Sequence, residues 1–185
     1  PSLQIEEGVA APILDEVFVD RSRLARRDGQ QIDLSGLTPT LSIALSGGSA
    51  AQVVHLTAPV RTRYVALEVR SEERGGPYAS LAELNATGPD GRDLDRKRWR
   101  VAYADSEEQD AENGEAANVL DNQPTTYWHT EYGAKTAAMP HLIVIDLGEE
   151  VALGSLRLLP RQDGGVNGRI RDLRVYTSPT PFKGQ

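Results

Sequence analysis

The stretch that decides the fold runs from Asn113 to Ser178. It reads NGEAANVLDNQPTTYWHT at residues 113–130, HLIVIDLG at 141–148, LLPRQD at 158–163, NGRI at 167–170 and VYTS at 175–178. Short apolar runs alternate with turns that contain Gly, Pro or Asn, and the only room for a helix is one or two turns within residues 107–120. The stretch therefore predicts an all-β domain of two packed antiparallel sheets.

The residues before this stretch carry strand patterns as well. Leu41, Ile43 and Leu45 alternate with small or polar residues, as is typical of a half-buried strand. Residues 52–56 and residues 63–69 are each predicted to form a further strand. The strand-rich part of the chain thus begins well before residue 113.

The motifs from residue 113 to residue 178 resemble the discoidin family, also called the coagulation factor type C domain, and within it the family 32 carbohydrate-binding modules. The resemblance implies a galactose-binding-like β-sandwich of jelly-roll type. Residues 71–85 resemble the end of the family's domain, where a Gly/Pro loop leads into an Ala-Glu-Leu strand, and residues 99–106 resemble its first strand. The closing half of the domain therefore precedes the opening half.

Two domain organisations explain this order. In a circularly permuted domain, residues 37–185 form one sandwich, with residues 37–90 as the closing half and residues 91–185 as the opening half. Close termini make such a permutation tolerable. The alternative is the junction of two tandem domains, each cut in half, which would leave sheet edges open. We expect permutation, and a strand-exchanged dimer is a variant of it.

Residues 1–36 carry the least information. They are expected to form an N-terminal extension or additional strands, with residues 17–19 and 32–34 as short strands. Four arginines between residues 21 and 27 have acidic neighbours, so they are interpreted as a solvated turn rather than a basic patch.

The composition excludes several functions. The chain has 20 Lys and Arg against 27 Asp and Glu, a net charge of −7, so nucleic acid and anionic membranes are poor partners. It has no cysteine, which excludes disulfides and thiolate metal sites. No apolar run is long enough to span a bilayer. The chain starts at Pro1 without a signal peptide, so we expect a processed piece of a longer protein.

Five side chains are predicted to bind a sugar. An aromatic face packs against the C–H groups of a sugar, and planar donors bind its hydroxyl groups. The resemblance to galactose-type modules implies a His and an aromatic on one loop, an Arg and an Asn on a second, and an aromatic on the closing loop. Trp128, beside the histidine, is predicted to lie in the core. The five positions are His129, Tyr132, Arg161, Asn167 and Tyr78.

Each position also has a structural interpretation. A histidine such as His129 more often lies at the surface, or is hydrogen-bonded within the protein, than binds a ligand. Arg161 has Asp163 and Asp172 as potential ion-pair partners that would brace its loop, and Tyr78 has room to pack under its Gly/Pro loop. The family often has Trp or Phe where this chain has Tyr, which leaves the identity of the sugar open.

A structural calcium ion is the predicted cofactor. In the resembled modules, a loop with the pattern Asp-x-x-x-x-Thr wraps calcium, and a Glu from the Ala-Glu-Leu strand completes the shell. These positions are Asp121, Thr126 and Glu83. Calcium takes 6 to 8 oxygen ligands, so backbone carbonyls would have to contribute. The alternative is an Asx turn at Asp121 that Thr126 caps locally.

Nothing in the sequence marks a catalytic site. The three histidines are dispersed, and no Gly-x-Ser-x-Gly, His-Glu-x-x-His or phosphate-binding loop is present. Asp105, Glu107 and Glu108 form an acidic cluster at a strand end, which is expected to be solvated. A glycosidase would need two carboxylates across a cleft, and no such pair stands out.

We therefore expect a non-catalytic carbohydrate-binding module that recognises terminal galactose or N-acetylgalactosamine and targets a larger secreted enzyme to its substrate. The expected location is outside the cell, at its surface, or in a bacterial periplasm, with a catalytic domain as neighbour. A protein- or membrane-adhesion module and a structural spacer without ligand are the alternatives. Residues 133–139 and 162–168 contain few large apolar side chains, which argues against membrane insertion.

Overall fold

The computed structural model describes residues 31–184. A 3-10 helix spans Ala116–Leu120, inside the range where one or two helical turns were expected. The predicted strand at residues 17–19 and the arginine-rich turn lie outside the described residues. The eight strands are β1 (Leu41–Ala44), β2 (Gln52–Glu72), β3 (Ser80–Leu81), β4 (Glu83–Thr87), β5 (Arg100–Ala104), β6 (Trp128–His129), β7 (His141–Leu159) and β8 (Ile170–Ser178).

Two long strands, β2 and β7, run through the whole fold. They pair antiparallel, from Val69 with His141 at one end to Gln52 with Leu158 at the other, with two register shifts between residues 55 and 64. Such irregularities bend a strand without ending it. This is why the segments 52–56 and 63–69, expected as separate strands, form one continuous strand.

The other strands attach to this pair. The first half of β7 lies between β2 and β5, and its second half lies between β2 and β4. Strand β8 pairs with the second half of β2, and β1 pairs with β8. Strands from residues 41–87 thus pair with strands from residues 100–178 in antiparallel sheets. The all-β fold predicted from the sequence is confirmed.

The core lies between the sheets. Trp128 and Leu67 are completely buried there, so the prediction that Trp128 is a core residue is confirmed. A smaller apolar cluster covers the outer face, where Tyr176 and its neighbours pack against Ile32 and Leu34. Ile32 forms a single β-bridge rather than the predicted strand. Within residues 31–184, no helix is long and apolar enough to cross a membrane.

A small strand pair brings three loops together at one end of the fold. Ser80 of β3 pairs with His129 of β6, and the amide of Ser80 donates to the carbonyl of Gly168 at 2.8 Å. Gly168 has a φ of +80°, and a Cβ there would lie 2.8 Å from backbone atoms of Ala79 and Ser80. Only glycine allows this contact. The loop after β7 is thereby held against the loop before β3.

Candidate functional site

Three aromatic side chains form a cluster where these loops meet. The ring centroids lie 5.7 Å apart for Tyr78 and His129, 5.0 Å apart for His129 and Tyr132, and 6.4 Å apart for Tyr78 and Tyr132. His129 is 3% exposed and forms the floor of the cluster, whereas Tyr132 is 38% exposed. Exposed aromatic rings above a buried polar ring provide both a stacking surface and a hydrogen-bonding group.

The imidazole of His129 is arranged as a hydrogen-bond acceptor. Its Nδ1 lies 2.7 Å from the carbonyl oxygen of Thr130 and therefore carries the proton. Burial lowers the pKa of His129 against the opposing effect of that carbonyl. The ring is thus neutral at pH 7, and its free lone pair is on Nε2. A hydroxyl group of a ligand could donate to this atom.

Arg161 organises the second side of the site. Its guanidinium stacks on the ring of Tyr127 at 4.3 Å and donates to both oxygens of Asp163, at 2.8 and 2.5 Å. It also donates to the Tyr127 hydroxyl at 2.8 Å and to the carbonyl of Asn167 at 3.3 Å. The hydrogen bonds from Arg161 hold the pKa of Asp163 far below its usual range. Tyr127 lies 6.4 Å from His129 and links the two sides.

The structure therefore brings four of the five predicted sugar-binding side chains into one site, those of Tyr78, His129, Tyr132 and Arg161. Asn167 joins the site through its backbone carbonyl. Asp163, one of the two ion-pair partners considered for Arg161, does brace the loop. Tyr127 was not among the predicted residues, and its hydroxyl also donates to Glu112 at 2.6 Å. Glu112 comes from a different loop, and only the folding of residues 107–115 across β6 places it here. Sugar binding by the five residues stays a prediction.

A buried carboxylate supports Tyr132 from below. Glu108 accepts the backbone N–H groups of Asp110 and Ala111 on one oxygen, both at 2.8 Å. Its other oxygen accepts those of Tyr132 at 2.7 Å and Gly133 at 2.6 Å. Burial alone would raise the pKa of Glu108, but these four donors outweigh it and lower the pKa to about 2.

The expectation that the acidic cluster is solvated is wrong for two of its three members. Glu107 is 7% exposed and Glu108 is completely buried, and only Asp105 reaches the surface. Glu107 accepts the backbone N–H of Ala116 at 2.9 Å. Both glutamates satisfy backbone donors of loops that sequence periodicity does not describe, which is why they could not be recognised as structural.

His141 ties the Tyr78 loop to the sheet. Its Nε2 lies 2.7 Å from the carbonyl of Pro77, and its Nδ1 lies 2.8 Å from a carboxylate oxygen of Asp105. Both partners are acceptors, so the two contacts are hydrogen bonds only when both nitrogens carry protons. Burial opposes this charge, but Asp105 and the carbonyl outweigh burial and raise the pKa of His141.

We expect the stability contributed by His141 to be lost in alkaline conditions. Because its folded-state pKa is raised, the contribution is complete below the usual value of 6.5 and disappears as pH rises through the folded-state pKa. Neutral imidazole keeps one N–H, so the loss should be about 1 kcal/mol, the size of one hydrogen bond. Urea unfolding at several pH values between 5.5 and 9 measures this loss, because the range spans the usual histidine pKa of about 6.5. His141→Gln should flatten the profile, whereas replacement of the exposed His55 by Gln should not.

The three predicted calcium ligands also lie together. The Thr126 hydroxyl donates to Asp121 at 2.6 Å. The pKa of Glu83 is raised by burial and by its neighbour Asp121, against the opposing effect of Arg96. Arg96 donates to one oxygen of Glu83 at 2.9 Å and also to the side-chain oxygen of Asn122. The Asx turn considered as the alternative is present too, since Asp121 accepts the N–H of residue 123 at 2.8 Å.

One observation favours a cation at this place. The second carboxylate oxygen of Glu83 is buried, and no donor within residues 31–184 reaches it. A buried carboxylate oxygen without a donor, beside another carboxylate, suits a hard metal ion such as calcium. Arg96 supplies one positive charge for the two negative charges of Glu83 and Asp121, so the cluster keeps a net charge of −1. The residues fit the ion, and calcium stays a prediction.

Comparison with known proteins shows what part of this chain is similar to. Residues 102–181 match the sequence profile of the F5/8 type C domain. The chain is 41% identical over 86 residues to a sialidase of Micromonospora viridifaciens. The aligned region covers 46% of this chain and 13% of the sialidase. It is 37% identical over 113 residues to a galactose oxidase of Gibberella zeae, which covers 59% of this chain and 16% of the oxidase.

A third relative is an A type blood N-acetyl-α-D-galactosamine deacetylase of Flavonifractor plautii, 36% identical over 63 residues, or 34% of this chain and 8% of that protein. The chain therefore spans a small part, between 8% and 16%, of the length of these three relatives.

Proposed function

Because residues 102–181 match the profile of the F5/8 type C, or discoidin, domain, we propose that the described residues form a non-catalytic carbohydrate-binding module. The proposed ligand is a glycan that ends in galactose or N-acetylgalactosamine. The names of three relatives support a glycan, since they are a sialidase, a galactose oxidase and an A type blood N-acetyl-α-D-galactosamine deacetylase. The proposed role is to hold a larger secreted enzyme on its substrate.

The observation that carries this proposal is the cluster of Tyr78, His129 and Tyr132 beside Arg161. Tyr132 offers an exposed ring for the apolar face of a sugar. His129 offers an acceptor, and the Arg161 loop offers polar groups within the same site. A shallow loop site of this kind is expected to bind a single sugar with a Kd of about 1 mM, or about −4 kcal/mol, with avidity supplied by tethering.

Calorimetric titration tests the proposal. Galactose, N-acetylgalactosamine, glucose and fucose are titrated into concentrated wild-type protein and into His129→Ala. We expect heat with galactose or N-acetylgalactosamine that is absent in the variant. No heat with all four sugars would contradict the proposal and favour the protein-adhesion or spacer function. His55→Ala, which removes an exposed histidine, is the matched control.

We also propose that Glu83, Asp121 and Thr126 hold a structural calcium ion. Bound calcium would fix the loop that leads into β6, and saturating calcium stabilises a folded protein by mass action, by about 2.7 kcal/mol at 100 times Kd. The melting temperature should then be about 5 °C higher in excess calcium than in EDTA. Asp121→Asn should abolish this difference, and Asp90→Asn, which removes an exposed carboxylate paired with Arg92, should keep it. Equal melting temperatures in calcium and EDTA would refute the calcium site.

The domain organisation is part of the proposal. The pairing of β4 and β5 with the same strand, β7, supports one permuted sandwich in residues 37–185, with residues 88–98 as the connection between its halves. Analytical ultracentrifugation distinguishes this arrangement, which predicts a monomer, from a strand-exchanged dimer. Ile32 and Leu34 extend the domain at its outer face.

A further inference from the structure

The charges around the aromatic cluster do not balance. Arg161 is the cation of the site, and Asp163 matches it through two hydrogen bonds of 2.8 and 2.5 Å. Glu112 is half-buried and accepts the hydroxyl of Tyr127 at 2.6 Å. This partner, Tyr127, is neutral, and within residues 31–184 no Lys, Arg or His forms an ion pair with Glu112. Its negative charge therefore has no ion-pair partner of its own at the site.

Other groups add to this excess. Glu108 lies under Tyr132 as a carboxylate, because four backbone donors stabilise its charged form. His129 contributes no positive charge, since burial keeps the ring neutral. The network thus contains one cation, Arg161, and three carboxylates, which gives a net charge of −2. The chain as a whole carries −7, so its field has the same sign.

Glu112 is placed to act on a bound ligand. Burial raises the pKa of the Tyr132 hydroxyl most, and the nearby Glu112 carboxylate raises it further. The same carboxylate acts to raise the pKa of His129, against the larger effect of burial. It therefore borders the aromatic cluster on which a sugar would rest. A positive group on that sugar would be attracted by the Glu112 carboxylate. A negative group would be repelled by Glu112, and the guanidinium of Arg161 could not compensate because it is already paired with Asp163.

We propose that this site selects its sugar by charge: it prefers galactose-type sugars with a protonated amino group over neutral ones and rejects sugars that carry a carboxylate or sulfate. This inference rests on the proposed function, because it names the ligand class of the same site. It predicts that glycans with exposed amino sugars are the best ligands. Terminal sialic acid or uronic acid would have to be removed before the module binds.

Three monosaccharides that differ in one group test the inference. Galactosamine, galactose and galacturonic acid are titrated calorimetrically into wild-type protein at low salt and about pH 6, where an amine with a pKa near 8 is protonated. Galactosamine should bind about threefold to tenfold more tightly than galactose, as expected for a partly exposed charge pair. Galacturonic acid should bind at least about tenfold more weakly than galactose.

Two comparisons separate charge from shape. At about pH 9.5 the amine is neutral, so the ratio of galactosamine to galactose affinity should fall to about one. Glu112→Gln should lower the same ratio at pH 6, whereas Glu149→Gln, which removes an equal charge from the Arg98 pair at the bend of β7, should leave it unchanged. Equal affinities for all three sugars would overturn charge selection and leave the proposed function standing. Binding of none of them would overturn both.

Discussion

Glu108→Gln should lower the free energy of unfolding by about 3 kcal/mol, the largest effect we expect from a single isosteric substitution in this domain. The two carboxylate oxygens of Glu108 accept four backbone N–H groups in a completely buried position. A glutamine side chain has one oxygen, and its NH₂ group would face two donors. Urea unfolding at pH 7 measures the loss.

The same carboxylate predicts an acid transition. Because its folded-state pKa is about 2 against a usual 4.5, the contribution of Glu108 is complete above 4.5 and is lost as the pH falls towards 2. Glu108→Gln should remove this part of the pH dependence. Glu150→Gln is the control, since Glu150 forms an exposed pair with Arg61, and it should cost less than about 0.5 kcal/mol. A cost below about 1 kcal/mol for Glu108→Gln would mean that the loops do not depend on the carboxylate.

Arg161→Met should weaken binding of galactose at least tenfold, a loss of about 1.4 kcal/mol, and should lower stability by about 2 kcal/mol. Methionine keeps the apolar stem against Tyr127 but removes the guanidinium. The hydrogen bonds to Asp163 and to the carbonyl of Asn167 are then lost, so the loop after β7 is no longer braced. The pKa of Asp163 should return towards its usual range. Calorimetry with galactose, urea unfolding and NMR titration of Asp163 measure the three effects.

Arg157→Met provides the matched control for this substitution. Arg157 lies near the end of β7, shortly before the Arg161 loop, but its pair with Asp93 is exposed, with N–O distances of 3.2 and 3.3 Å. Its removal should change neither galactose affinity nor stability by more than about 0.5 kcal/mol. If both arginine variants bound galactose like the wild type, Arg161 would have only its bracing role.

The strands could be predicted because period-2 patterning is local. Leu41, Ile43 and Leu45 indicated β1, and the alternation around Leu67 indicated the second half of β2. What the pattern could not show is that residues 52–72 form one bent strand, since bulges depend on the partner strand. The pairing of distant segments, such as β2 with β8, was also beyond periodicity, which is a local property.

The candidate site was predictable only in part. His129 and Tyr132 are three residues apart, and Tyr78 and Arg161 come from distant loops that the family pattern joins. Tyr127, Glu112 and Glu108 were missed because their roles depend on loop geometry: each takes part in hydrogen bonds between loops. The one signal in the sequence that could have included Tyr127 is its position two residues before a predicted binding histidine.

An NMR titration of the ¹⁵N-labelled protein with galactose is the most direct test of whether this domain binds sugar at the proposed site. We predict that the amide shifts change for Tyr78, His129 and Tyr132 and within residues 161–168, and saturate in the range of about 1 to 10 mM. Shifts confined to the cavity of about 920 Å³ between residues 93–101 and 116–122 would place the ligand elsewhere. No change at about 100 mM galactose would contradict the binding of galactose altogether.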